Sequence, residues 1–130
     1  DRAVAVTRQE SRPEPIPPLR FPDPIWNREL LVACPYFAVE RLRWSESLTY
    51  RPDRARFHLL IFLEGDGGIG EYRYRKGDGY LVPAHAEPFP LQPVSQTTAI
   101  RGCVPDLRSL RDELQQAGAD EEQLRSVLVE

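Results

Sequence analysis

Residues 57–83 read FHLLIFLEGDGGIGEYRYRKGDGYLVP, and the order of apolar runs and glycine clusters within them decides the fold. The run from 57 to 65 is apolar at nearly every position, the texture expected of a strand covered on both faces. It ends in Glu64-Gly65-Asp66-Gly67-Gly68, where clustered glycines permit the positive φ values of a tight hairpin. A second strand enters through Lys76-Gly77-Asp78, turns on the Gly-Asp pair and is ended by Pro83. Gly65, Gly67, Gly77, Asp78 and Pro83 are therefore the turn residues that define the fold.

Outward from this centre the same texture repeats. LLVAC (30–34), YFAVERLRW (36–44), IGEYRYR (69–75), PFPLQ (88–92) and TTAIRGCV (97–104) are short runs rich in β-branched and aromatic residues, parted by Gly and Pro. Such spacing predicts an all-β sandwich or barrel. YFAVERLRW alternates more loosely and is expected to border solvent.

Both ends differ from the middle. Six prolines between Pro13 and Pro24 remove backbone donors and exclude helix and central strand, while Leu19, Phe21, Ile25 and Trp26 are too apolar for a free tether. An extended strap lying on a domain surface is predicted. Beyond residue 104, Leu107, Leu110 and Leu114 recur at helical steps after Asp106, a candidate N-cap. Gly118 stops that helix, Asp120 caps a second, and Leu124, Val127 and Leu128 make its buried side. The expected organisation is a linker or strap from an upstream domain over 1–29, a β-barrel over 30–104 and a helical hairpin over 105–130.

With 130 residues and a formal net charge of -3, the chain is one domain's worth of ordinary globular sequence. No run approaches the ~20 apolar residues of a membrane span, and no basic start leads into a secretory signal. Its 17 basic residues face 20 acidic ones without a dense basic face, so neither nucleic acid nor membrane is an expected partner. A cytoplasmic setting follows, and with no methionine in the chain a segment of a longer protein is expected. Cys34 and Cys103 lack metal or redox spacing; reduced, buried thiols are a simpler reading than a disulfide.

Few side chains suggest chemistry. On a barrel strand, His58 either touches a bound sugar or is a hydrogen-bonded core residue, and the second needs no further partner. Glu64 and Asp66 sit among glycines and read as solvated turn residues rather than a carboxylate pair. Tyr72, Tyr74 and Tyr80 could stack on a sugar ring but alternate as packing residues do. His58, Tyr80 and His85 are the candidate ligand contacts at a barrel mouth.

LEGDG followed by KGDGYLVPA resembles the core of the cupin superfamily, whose fold is a double-stranded β-helix or jelly-roll barrel. Against the metal-binding cupin pattern, His58 stands where the Glu ligand would be. The paired histidines would fall in Arg51-Pro52-Asp53-Arg54, the late histidine at Pro88, and His85 takes the place of the turn glycine. No metal and no cofactor are therefore expected in this chain. YFAVERL, FHLL, LEGDG and KGDGYLVPA together resemble the carboxy-terminal cupin of the class I mannose-6-phosphate isomerases, and residues 1–19 resemble the segment that joins it to the catalytic half.

That resemblance implies a parent enzyme that interconverts mannose 6-phosphate and fructose 6-phosphate through an enediol, with zinc in the upstream domain. It implies that this chain supports the upstream catalytic domain, with no catalytic residue of its own, and is inactive alone. A different class of function is a stand-alone sugar-binding or regulatory module taking a sugar phosphate at the barrel mouth. A third is a scaffold that self-associates through strap and hairpin.

Overall fold

The computed structural model describes residues 18–21 and 26–129. In order, the chain forms β1 (Leu19–Phe21), β2 (Asn27–Ala33), β3 (Ala38–Trp44), β4 (Leu48–Tyr50), β5 (His58–Glu64), β6 (Gly67–Ile69), β7 (Tyr72–Tyr74), β8 (Gly79–Val82), β9 (Phe89–Pro93) and β10 (Thr97–Cys103), then helices α1 (Leu107–Gln116) and α2 (Glu121–Val127). Six strands make one sheet in the order β1-β2-β3-β10-β5-β8, and four make a second in the order β4-β9-β6-β7. Paired strands are antiparallel throughout, and the chain passes from one sheet to the other and back, as in a jelly roll.

Period-two alternation sends one face of each strand inward. β3 contributes Ala38, Glu40, Leu42 and Trp44; β5 contributes His58, Leu60 and Phe62; β10 contributes Thr97, Ala99 and Arg101. Read along the strands, these inward residues fall into layers. Leu42, Trp44, Leu60, Phe62, Tyr74, Leu91 and Ala99 form the barrel core, with Phe62 stacked on Tyr74 at 4.1 Å between ring centroids. Glu40, His58 and Arg101 form a polar middle. Beyond it Leu19, Phe21, Leu30, Ala33 and Ala38 make a second apolar cluster, closed by Leu114, Leu124, Val127 and Leu128 of the hairpin.

Local chemistry fixes the hairpin. The Asp106 carboxylate accepts the Arg108 and Ser109 N–H groups, and Asp120 and Gln123 exchange the reciprocal bonds of a capping box. Gly118 turns the chain at φ +98°. Leu128 bridges to Ala33, and the Val129 N–H donates to the Ala33 carbonyl at 2.7 Å, which ties the end of the described chain to β2.

Several expectations need correction. β5 is covered on one face only, with Leu59, Ile61 and Leu63 pointing out, because among the described residues nothing packs over that side. β3 alternates strictly instead of loosely. The Glu64–Gly68 stretch is a corner where the chain leaves one sheet for the other, not a hairpin. A Cβ at Gly65 would stand 2.4 Å from the Gln96 carbonyl oxygen, and one at Gly67 2.4 Å from that of Gln92, so this corner needs glycine for closeness of approach. The tight hairpin lies one step later, between β6 and β7 at Gly70. Pairing also reaches into the expected strap: β1 adds to the edge of β2, since Leu19 and Phe21 alternate onto the hairpin cluster. Residues 1–17 and 22–25, with most of the strap prolines, lie outside the described residues.

Cys34 and Cys103 are free and half-buried rather than buried, and burial pushes the Cys103 thiol up from its ordinary pKa. Among the described residues no helix is long and apolar enough to cross a membrane.

Candidate functional site

The polar middle layer is one connected network. Glu40 accepts from the Arg101 Nε at 2.8 Å on one carboxylate oxygen and from the Arg28 Nε at 2.6 Å on the other. Arg28 Nη1 reaches on to Glu113 of α1 at 3.1 Å. In the other direction the Arg101 Nη1 donates to the Tyr50 hydroxyl at 3.3 Å, and that oxygen lies 2.6 Å from His58 Nδ1. The guanidiniums also lie over aromatic rings, Arg28 over Phe21 at 3.7 Å and Arg101 over Trp26 at 5.5 Å. A single path thus runs from α1 through β2, β3, β10 and β4 to β5.

Its protonation states follow from the donors. With Arg101 donating to the Tyr50 oxygen, we assign the tautomer in which the Tyr50 hydroxyl donates to His58 Nδ1. The ring is then neutral, with its own hydrogen on Nε2. Burial pushes the His58 pKa down to about 4, and the positive charge of Arg101 adds to that effect. For Glu40 burial acts the other way, but Arg101 and Arg28 outweigh it and hold the carboxyl below its ordinary value. Burial likewise raises the Tyr50 phenol. An imidazole this weakly basic is a poor general base near neutral pH, though a serviceable hydrogen-bond donor.

Above the network opens a cleft of about 330 Å³ between the barrel and α1. Arg28, Arg51, Arg56 and Arg101 line it against Glu40, Asp53, Asp106 and Glu113, with His58 at its base. Arg56 is paired with Asp53 at 2.7 Å, whereas Arg51 is exposed at the rim. This donor set does not suit a metal cation: His58 Nδ1 is engaged by Tyr50, and the charge closest in effect to the ring is a guanidinium. Among the described residues no three His, Cys, Asp or Glu side chains gather as ligands.

Of the three candidate ligand contacts, His58 lines the cleft and Tyr80 and His85 do not. The Tyr80 hydroxyl donates to the Arg73 carbonyl, and its ring stands edge-on to Phe62 in the core. His85 is exposed in the turn after β8 with φ +66°, a left-handed conformation that favours glycine. Among the turn residues, Gly77 has φ +93° and the Asp78 carboxylate accepts the Arg75 N–H at 2.8 Å. Glu64 is exposed, and Asp66 accepts from Ser95 at 3.0 Å. Glu40, Arg101, Arg28 and Tyr50 were not foreseen. For Glu40 and Arg101 the signal lay in the alternation: AVERLRW and TTAIRGC each place a charge among the residues of the apolar face.

No family model matches the chain, and no curated protein does. Solved structures do. Ectoine synthase from P. lautus matches with a TM-score of 0.59 and 21% identity, over 72% of this chain and 75% of that one. An RmlC-like cupin from Desulfovibrio desulfuricans matches at TM-score 0.53 and 17% identity, over 67% and 89%. The mannose 6-phosphate isomerase from Bacillus subtilis matches at TM-score 0.55 and 20% identity, over 67% of this chain but 28% of that one. At such identities the likeness concerns the fold alone. What the three share with this molecule is the double-stranded β-helix itself, and by that likeness the chain has the cupin fold.

Proposed function

We propose that this cupin is the metal-free, carboxy-terminal barrel of a cytoplasmic sugar-phosphate aldose–ketose isomerase of the mannose-6-phosphate isomerase kind, and that it braces an upstream zinc-bearing catalytic domain of the same parent chain. The observation that carries this reading is the polar layer. His58, which stands at the Glu-ligand position of the metal-binding pattern, is held to Tyr50, and beside it Glu40 holds two guanidiniums. Groups paired in this way leave no free base or ligand set for proton transfer. Mannose 6-phosphate and zinc offered to the purified chain should give no fructose 6-phosphate above the blank. Measurable, chain-dependent turnover overturns the proposal.

A second reading, a stand-alone sugar-binding module, draws on the cleft, where the Arg51 rim and the His58 Nε2 donor suit a phosphorylated or acidic sugar. Trp26 packs 5.7 Å from Trp44 and beneath Arg101, so its fluorescence reports on this region. Saturable quenching by mannose 6-phosphate favours the second reading, and a flat titration favours the first.

A further inference from the structure

The outer face of the six-stranded sheet is divided. Over β2 and β3 it is charged, with Glu29 taking Arg41 at 2.8 Å and Arg43 at 3.9 Å. Over β10, β5 and β8 it is aliphatic: Leu59, Ile61, Leu63 and Leu81 are 39–62% exposed. The register places Ile61 between Ile100 and Gly79, and Leu59 between Gly102 and Leu81. Large side chains therefore sit on one diagonal about β5 and glycines on the other.

Those two glycines are not demanded by the chain's own fold. Neither has the positive φ that favours glycine, and an added Cβ would meet nothing nearer than 3.7 Å at Gly79 or 4.0 Å at Gly102. Glycine inside a strand weakens it unless another surface comes close. The diagonal is also its own complement. Rotation by half a turn about the line of β5 sets Ile100 of one copy over Gly79 of another and Leu81 over Gly102, with the β5 leucines and isoleucine meeting their counterparts.

We propose that this face packs on the same face of a second copy of the chain, sheet on sheet, with each glycine receiving an aliphatic side chain. Strap and hairpin take no part. Four exposed aliphatic side chains and Ile100 make up this patch, against ~20–30 residues a side in a standard interface, so a weak, reversible dimer is expected.

Sedimentation equilibrium of the whole chain over a wide concentration series tests this. A reversible monomer–dimer equilibrium is expected. Gly79→Val and Gly102→Val fill the hollows with strand-favouring residues and should weaken dimerisation at least tenfold while circular dichroism shows the fold intact. Leu81→Lys, on the same face, should do the same and stands in if a valine variant misfolds. A wild-type chain monomeric at every concentration overturns the proposal. So does a dimer that all three folded variants form as tightly as the parent.

Discussion

His58 has a ring that the folded molecule keeps neutral and the unfolded chain does not. Its ordinary pKa of 6.5 falls to about 4 in the fold, so within that window the unfolded state binds a proton that the native state refuses. Stability is complete above the window and falls as pH drops through it, by at most ~1.4 kcal/mol per pH unit, less what water in the cleft screens. Glu40, with its pKa lowered, contributes stability above its ordinary 4.5 and loses it only as pH falls further. Urea midpoints should therefore fall from pH 7 to pH 5 in the wild type and much less in His58→Gln; parallel falls would refute the assignment of that slope to His58. The sequence showed His58 as a residue with two readings because an imidazole in an apolar run carries no sign of its partner. Tyr50 stands in another sheet, and only the folded barrel brings its hydroxyl to Nδ1. Glu40 and Arg101 left a signal that went unread, since each interrupts the apolar face of its strand, but that the two strands are neighbours appears only in the fold.

The hairpin of α1 and α2 was readable because its signals are local: Asp106 and Asp120 cap within three residues, and Gly118 needs only its own φ. Two substitutions separate backbone from packing there. Gly118→Ala meets nothing within 4 Å, so its cost is conformational alone, about 1 kcal/mol. Leu114→Ala removes a fully buried side chain from the second cluster and should cost about 2–5 kcal/mol by chemical denaturation. A cost for Leu114→Ala no greater than for Gly118→Ala would mean that the helices do not pack as described. β1 and the corner at Gly65 were less legible for the opposite reason. Prolines hide a three-residue edge strand, and whether glycines close a hairpin or a passage between sheets depends on Gln92 and Gln96, which are distant in sequence.

In the whole molecule, hairpin and barrel share a wall. Cutting the chain after Val104 removes Asp106, Ser109, Leu110 and Glu113 from the cleft and uncovers Leu19, Leu30, Ala33 and Ala38. The shortened protein should bind more of a hydrophobic dye such as anilinonaphthalene sulfonate than the full chain does and melt over a broader range; an unaltered, sharp transition would show the hairpin to be dispensable. All-β architecture was visible in the strand texture, whereas the layering was not, because it arises only when separate strands are laid in register. That layering has a mechanical meaning. Two oily compartments are joined through a plane of buried charge, Glu40 and Arg101, while the Arg28–Glu113 pair on the hairpin side is more open to water. Amide exchange should therefore divide the molecule in two, with α1, α2 and β1 opening together and early, and β5 and β10 last.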